Sequence, residues 1–228
     1  MAAHAKLSAS GSARWLNCPG SVNAEKGVKE KSSFFAQEGT AAHALAEYCL
    51  VNHVSARSQL GNIFEGFEVT SDMTDHVQNY VDYVLQFEGQ HMYEVRVDFS
   101  PWVPEGFGTC DAMIIGDSRK LRVIDLKYGK GIRVDAEDNT QAMLYGLGAY
   151  EDFGHIYDID SIVITIHQPR LDHVSEWEIT VTDLLAWGEE VKSKAADCFK
   201  DDAPREPSEK ACQWCKAKPT CPALKKLT

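Results

Sequence analysis

Two aspartates and a lysine occur in a pattern suited to phosphodiester chemistry. Asp111 is followed fourteen residues later by Asp125-Leu126-Lys127, which closes the apolar run Leu121-Arg122-Val123-Ile124. Residues 108–115 and 121–126 read as short strands joined by the polar loop Gly116-Asp117-Ser118-Arg119-Lys120. A hairpin symmetric about Ser118 makes Asp111 and Asp125 cross-strand partners, with Cβ atoms roughly 4.5–5.5 Å apart. Carboxylates that close repel unless a cation lies between them, and both can ligate one ion. Lys127 is two residues beyond Asp125, so a strand points the two side chains to the same face. A phosphodiester is anionic and resists attack until an ion polarises a phosphoryl oxygen and activates a water. Oxygen ligands suit Mg²⁺ or Mn²⁺ better than softer metals. Three roles remain open to Lys127: orienting the water, deprotonating it, or stabilising charge on the phosphate.

The elements around this pair must position it. Upstream, Thr40 in Glu38-Gly39-Thr40-Ala41-Ala42-His43 is placed to cap a helix spanning about 38–53, which puts His43 on its first or second turn. Alone, such a histidine reads as a helix residue satisfied by a neighbour. A second helix is expected near 71–88, and strands near 92–98, 108–115, 121–126, 161–167 and 174–180. The Ser161–Ile166 run is apolar enough for a central strand. Between the third and fourth strands, Gln141 and Tyr145 share one face of a crossing helix, as ordinary packing residues do. A helix at about 181–199 leads into the proline- and charge-rich connector 201–207. Glu94 begins the strand before Asp111 and reads as a solvent-facing acid, one that reaches the metal only if the sheet curls.

The tail carries a second chemical signal, Cys212-Gln213-Trp214-Cys215 followed by Cys221-Pro222. Three thiolates so spaced can hold one metal centre, and the turn-prone Cys18-Pro19-Gly20 supplies a fourth, stapling the two ends of the chain. Cys49, Cys110 and Cys198 fall in apparent helices or strands and read as buried thiols. An odd count of seven cysteines, with no secretory signal at the start, argues against disulfides and for a cytoplasmic setting. Four thiolates suit a tetrahedral zinc or a 4Fe-4S cluster, and spacing alone does not decide. Trp15 and Trp214 neighbour these cysteines and read as shields for them, while Trp102 is a candidate for stacking on bases.

In this order His43, Asp111, Asp125-x-Lys127 and Gln141-x-x-x-Tyr145 resemble the PD-(D/E)XK nuclease superfamily, in its RecB-like branch, over about residues 38–150. The resemblance implies an α/β fold with a restriction-endonuclease-like core, a central mixed β-sheet flanked by helices. It implies that His43, Asp111, Asp125 and the Leu126 backbone carbonyl bind Mg²⁺ or Mn²⁺, that Lys127 assists the water, and that Gln141 and Tyr145 support the site or contact DNA. Cys110 stands where a proline is usual, and Asp125 where glutamate is more frequent. One cysteine before the core and Cys-x₂-Cys-x₅-Cys after it is similar to the iron–sulfur subgroup, which includes AddB-type nucleases and CRISPR-associated adaptation exonucleases. That similarity favours 4Fe-4S over Zn²⁺. The implied activity is DNA exonuclease cleavage in phage-type recombination. The alternatives are an end-trimming module working with an integrase and a non-catalytic, metal-stapled DNA-binding protein.

Composition sets the outer limits. The 228 residues, 44% hydrophobic, are enough for one domain with a substantial core: an N-terminal segment 1–37, a nuclease core 38–200 and a tail 201–228. No apolar run is long enough to span a membrane. A net charge of −11 argues against indiscriminate nucleic-acid binding. Charge is uneven, however: residues 117–133 and 208–228 each carry +4, leaving −19 elsewhere. Lys130 and Arg133 lie on the glycine-bearing loop after Lys127 and are the candidate phosphate contacts. No Gly-x-x-x-x-Gly-Lys-Ser/Thr is present, so duplex opening would fall to a partner such as a helicase; a single-strand annealing protein is another expected partner.

Overall fold

One mixed sheet divides the apolar residues of this chain into two layers, and its open end holds the acids. The computed structural model describes residues 5–28, 33–116 and 118–227, so Asp117 of the hairpin loop lies outside the described residues. A small hairpin, β1 (Ile63–Phe64) and β2 (Phe67–Glu68), occupies what reads as loop in the sequence. The main sheet contains β3 (Gln90–Asp98), β4 (Phe107–Ile115), β5 (Lys120–Leu126), β6 (Ser161–Gln168) and β7 (His173–Thr180) in sequential order. Only β5 and β6 run parallel; the other neighbours are antiparallel. The protein is thus α/β with a central five-stranded mixed sheet flanked by helices.

A parallel pair needs a crossover, and α5 (Thr140–Phe153) supplies it, capped by the Asn139 side chain, which accepts from Ala142 N–H at 3.1 Å. Its Leu144 and Leu147 pack on Leu121 and Val123 of β5, with α6 (Val181–Asp197) completing that layer. On the opposite face α3 (Phe34–Asn52) and α4 (Ser71–Leu85) cover Ala112, Ile114, Ile124 and Leu126. Every residue of β6 is buried, the polar Ser161, Thr165, His167 and Gln168 included, as befits the central strand expected from this run. Among the described residues, no helix is long and apolar enough to cross a membrane.

The first helix departs from the expected start. Ser33, not Thr40, is the cap: its hydroxyl accepts from Ala36 N–H at 3.1 Å, while the Thr40 hydroxyl donates back to the Ala36 carbonyl at 3.0 Å. Gly39 is tolerated inside the helix, and His43 lies at its middle rather than in its first turns.

The two chain ends pack together. Short helices α1 (Ser12–Trp15) and α2 (Ser21–Ala24) meet α7 (Glu209–Cys212), with α8 (Pro222–Lys225) beyond. Gly20 N–H donates to the Pro204 carbonyl at 2.8 Å, so the extended connector before α7 pairs with the N-terminal segment.

His167, on β6, is 1% exposed between the rings of Tyr80 and Tyr83, and its Nδ1 has no partner among the described residues. Burial pushes its pKa down to about 4. A folded pKa below the unfolded value means that the unfolded chain binds the extra proton first. Stability is therefore expected to fall as pH drops below about 6.5, levelling near 4, by about 3 kcal/mol. His167→Phe, which fits between the tyrosines and removes the orphaned nitrogen, is expected to flatten that part of the pH profile in urea melts. An unchanged slope would refute the assignment.

Candidate active site and cysteine pocket

Both β3 and β4 change phase at one rung. Met92 packs on the α5 side and Tyr93 on the α3–α4 side, yet Val95 and Val97 both return to the α5 side. On β4, Cys110 packs on the α5 side although Ala112 and Ile114 face α3 and α4. The residues at the switch are Glu94, held at φ +47°, and Asp111. The ladder pairs Tyr93 with Ala112 and Val95 with Cys110, so these two acids face each other where regular pairing lapses. A glutamate in left-handed backbone is strained, and here the strain turns a strand acid into the site.

The hairpin register centres on Ser118, as its symmetry predicts, and regular pairing ends at Ala112 with Ile124. Asp111 and Asp125 occupy the next rung. Asp111 replaces the missing ladder bond with its carboxylate, which accepts from Leu126 N–H at 2.7 Å and lies 3.2 Å from His43 Nδ1. Donor atoms of His43, Glu94 and Asp111 all lie within 4.8 Å of one another. Glu94, read from the sequence as a solvent-facing acid, joins His43 and Asp111 in this close group, and Asp125 stands outside it, beside Lys127. Asp125 turns to the α5 side, with Oδ2 2.8 Å from Lys127 Nζ. That oxygen is buried and has the Lys127 ammonium as its partner. Lys127 Nζ donates to Gln141 Oε1 at 2.8 Å, and Gln141 Nε2 donates to Tyr145 Oη at 3.1 Å. The same-face geometry expected for Asp125 and Lys127, and for Gln141 and Tyr145, is present.

The electrostatics follow from crowding acids in a half-buried place. Burial disfavours a charged His43, but the Asp111 carboxylate outweighs it and holds the imidazole up to about 9. Glu94 is pushed up to about 7 by burial and then by Asp111. Burial likewise raises Asp125, with Asp111 adding to it and Lys127 opposing. Burial opposes the ammonium of Lys127, and Asp125 more than compensates, so its pKa is raised. Three carboxylates, those of Glu94, Asp111 and Asp125, and the His43 imidazole form an oxygen-rich donor set that fits a hard divalent cation.

Two supports were not visible in the sequence. Tyr80, from α4, lines the same pocket with its hydroxyl unpartnered; helical periodicity marks it only as core. Arg170 bonds Glu38 of α3 at 2.8 Å, reaches Asp72 of α4 at 3.8 Å and lies over the Tyr128 ring. It thereby clamps the helix that carries His43.

Gly108 supports Tyr145 from below, since an added Cβ would come within 2.6 Å of the Tyr145 ring. Gly108→Ala is therefore expected to displace Tyr145 and release Gln141 from Lys127, destabilising the fold by about 1–3 kcal/mol in urea melts. Unchanged stability would show that the ring yields without cost.

The basic footprint is narrower than net charge suggests. Arg119 pairs with Asp158 and Asp160, Lys120 with Glu178, Arg122 with Glu176 and Lys127 with Asp125. Lys130 and Arg133 are exposed and make no ion pair among the described residues. Two tryptophans differ from expectation. Trp15, fully buried with Nε1 donating to the Ser8 carbonyl, is not one of them, but Trp102 is 6% exposed and cannot stack on a base. Trp214 is 70% exposed and does not shield the cysteines.

Cys18, Cys212, Cys215 and Cys221 line one pocket. Cys18 Sγ accepts from Glu206 N–H at 3.2 Å, and burial raises its pKa. No three of these sulfurs lie within 4.8 Å of one another. Cys49, Cys110 and Cys198 are buried elsewhere, as expected.

The profile of a family described as "Protein of unknown function (DUF2800)" matches residues 4–227. A solved structure titled "Crystal structure of SSO0001" is similar, at 19% identity over 95% of this chain and 85% of that one, with a TM-score of 0.41. So low a score carries no argument about fold or function.

Proposed function

We propose that this chain, which belongs to the DUF2800 family, is a Mg²⁺- or Mn²⁺-dependent DNA exonuclease of the restriction-endonuclease-like kind, acting in phage-type recombination. One observation carries the reading: His43, Glu94, Asp111, Asp125 and Lys127 converge at one strand end from separate elements. His43, Glu94 and Asp111 would hold a hard cation, with Asp125 and the Leu126 carbonyl as the further ligands the resemblance implies, and that ion would supply polarisation of the phosphoryl oxygens and activation of a water. Lys127 stays an ammonium, because Asp125 raises its pKa. Of its three roles this favours orienting the water and stabilising the phosphate over deprotonation. Gln141 fixes the Lys127 head, and Tyr145 fixes Gln141.

The cysteine pocket is read as a 4Fe-4S site that staples the two chain ends. The four cysteines line one pocket, which supports a single centre. The choice of 4Fe-4S over zinc rests on the resemblance of one cysteine before the core and Cys-x₂-Cys-x₅-Cys after it to the iron–sulfur subgroup.

The test is time-resolved cleavage of 5′- and 3′-labelled single- and double-stranded DNA with Mn²⁺, after anaerobic purification, for wild type and Asp111→Ala. Metal-dependent release of mononucleotides or short oligomers by wild type alone is expected, and it gives the polarity. DNA binding without cleavage, or equal cleavage by both proteins, overturns the nuclease in favour of a binding module. Co-purification with an integrase would instead assign the cleavage to end-trimming.

A further inference from the structure

Side chains of β6 and β7 hold the loop after β5, which carries Lys130 and Arg133. Lys127 N–H donates to the His167 carbonyl at 2.9 Å, extending the parallel β5–β6 pairing one residue past the strand. The side chain of the next residue, Gln168, then takes over from the backbone. Its Oε1 accepts from Val134 N–H at 2.7 Å, and its Nε2 donates to the Ile132 carbonyl at 2.9 Å. Gln168 is 2% exposed, so this two-point clip is shielded from competing water. Two side chains of β7 extend the hold: His173 Nε2 donates to the Val134 carbonyl at 3.1 Å, and Ser175 Oγ accepts from Ala136 N–H at 2.9 Å. Between the clipped points sits Arg133, and two residues before them Lys130, both exposed. A buried amide spent on loop backbone fixes where two cations stand relative to Lys127.

Resting on the nuclease reading, we infer that Gln168 is a positioning residue for substrate, presenting Lys130 and Arg133 to the phosphates of a nucleic-acid strand as it enters the site. Its side chain touches no substrate itself. Preorganised cations lose little freedom on binding, whereas the same cations on a released loop must be ordered each time. The clip therefore acts on affinity and on its salt dependence, more than on the bond-breaking step.

The test measures binding of a fluorescein-labelled oligothymidylate by anisotropy in Ca²⁺, across a salt series, together with steady-state cleavage in Mn²⁺. Four proteins are compared: wild type, Gln168→Met, Lys130→Ala/Arg133→Ala, and all three substitutions combined. Gln168→Met is expected to weaken binding on the order of 10-fold. It should also lower the salt slope by roughly 1.4, at about 0.7 per phosphate contact on a single strand, and raise KM far more than it lowers kcat. Because the clip works through the two cations, the combined variant should bind no worse than the Lys130/Arg133 double variant. Additive losses, or wild-type affinity in Gln168→Met, overturn the inference. If Gln168→Met does not fold, His173→Ala, at the outer edge of the clip, must show the same lowered slope and the same non-additivity. Wild type that binds the oligonucleotide without cutting it removes the nuclease reading and leaves the clip standing; wild type that binds no oligonucleotide removes both.

Discussion

Asp125→Asn is expected to lower cleavage at saturating DNA by at least about 10³-fold, roughly 4 kcal/mol of barrier, and to abolish stabilisation by Mn²⁺. The Asp125 carboxylate is 3% exposed, with Oδ2 2.8 Å from Lys127 Nζ. Burial disfavours its charge, Lys127 opposes that and Asp111 adds to it, and the balance raises its pKa. A divalent ion favours the charged carboxylate. At 100 times its Kd it should stabilise wild type by about 2.7 kcal/mol, or roughly 5–11 °C in a chain this size. Asparagine keeps the shape and leaves Lys127 bonded to Gln141, so the fold should survive. Full activity in Asp125→Asn, or a wild-type Mn²⁺ response in its thermal melts, would dismiss Asp125 from the site.

Much of this site was legible because its parts are local. The hairpin's symmetry about Ser118 set Asp111 opposite Asp125, strand periodicity put Lys127 beside Asp125, and helical spacing joined Gln141 to Tyr145. What escaped is non-local or backbone-driven. Glu94 enters the site through a left-handed φ and a phase change shared with Asp111, and nothing in Tyr93-Glu94-Val95 announces either. Gly39-Thr40 looks like a helix start, but the earlier Ser33 cap wins and Gly39 is carried inside. The +4 of residues 117–133 implied a broad basic face. Sheet order places Glu176 and Glu178 of β7 beside Arg122 and Lys120 and cancels most of it. Gln168 gave no signal, since a glutamine ending an apolar strand acquires meaning only when the loop 131–136 folds over it.

Cys18→Ala should remove bound iron and sulfide and lower the melting temperature by roughly 10–20 °C, while Cys49→Ala keeps the iron. Cys18 lies far in sequence from Cys212, so a cluster joining them closes a loop of roughly 190 residues. By chain entropy such a crosslink is worth about 5 kcal/mol, and each kcal/mol shifts melting by about 2–4 °C at this length. Direct contacts also join the two ends: Glu25 accepts from Lys216 N–H at 2.7 Å, Asn23 Nδ2 donates to the Lys200 carbonyl at 2.9 Å, and Gly20 meets Pro204. The effect reaches toward the active site, because Ser12 of α1 is 2.7 Å from Thr140, hydroxyl to hydroxyl, immediately before Gln141. Loosening the N-terminal segment thus loosens the start of the helix that holds Lys127. Stoichiometric zinc in anaerobically prepared wild type, lost in Cys18→Ala, would keep the staple and replace its metal. An unchanged melting temperature with iron gone would show instead that the packed chain ends hold without it.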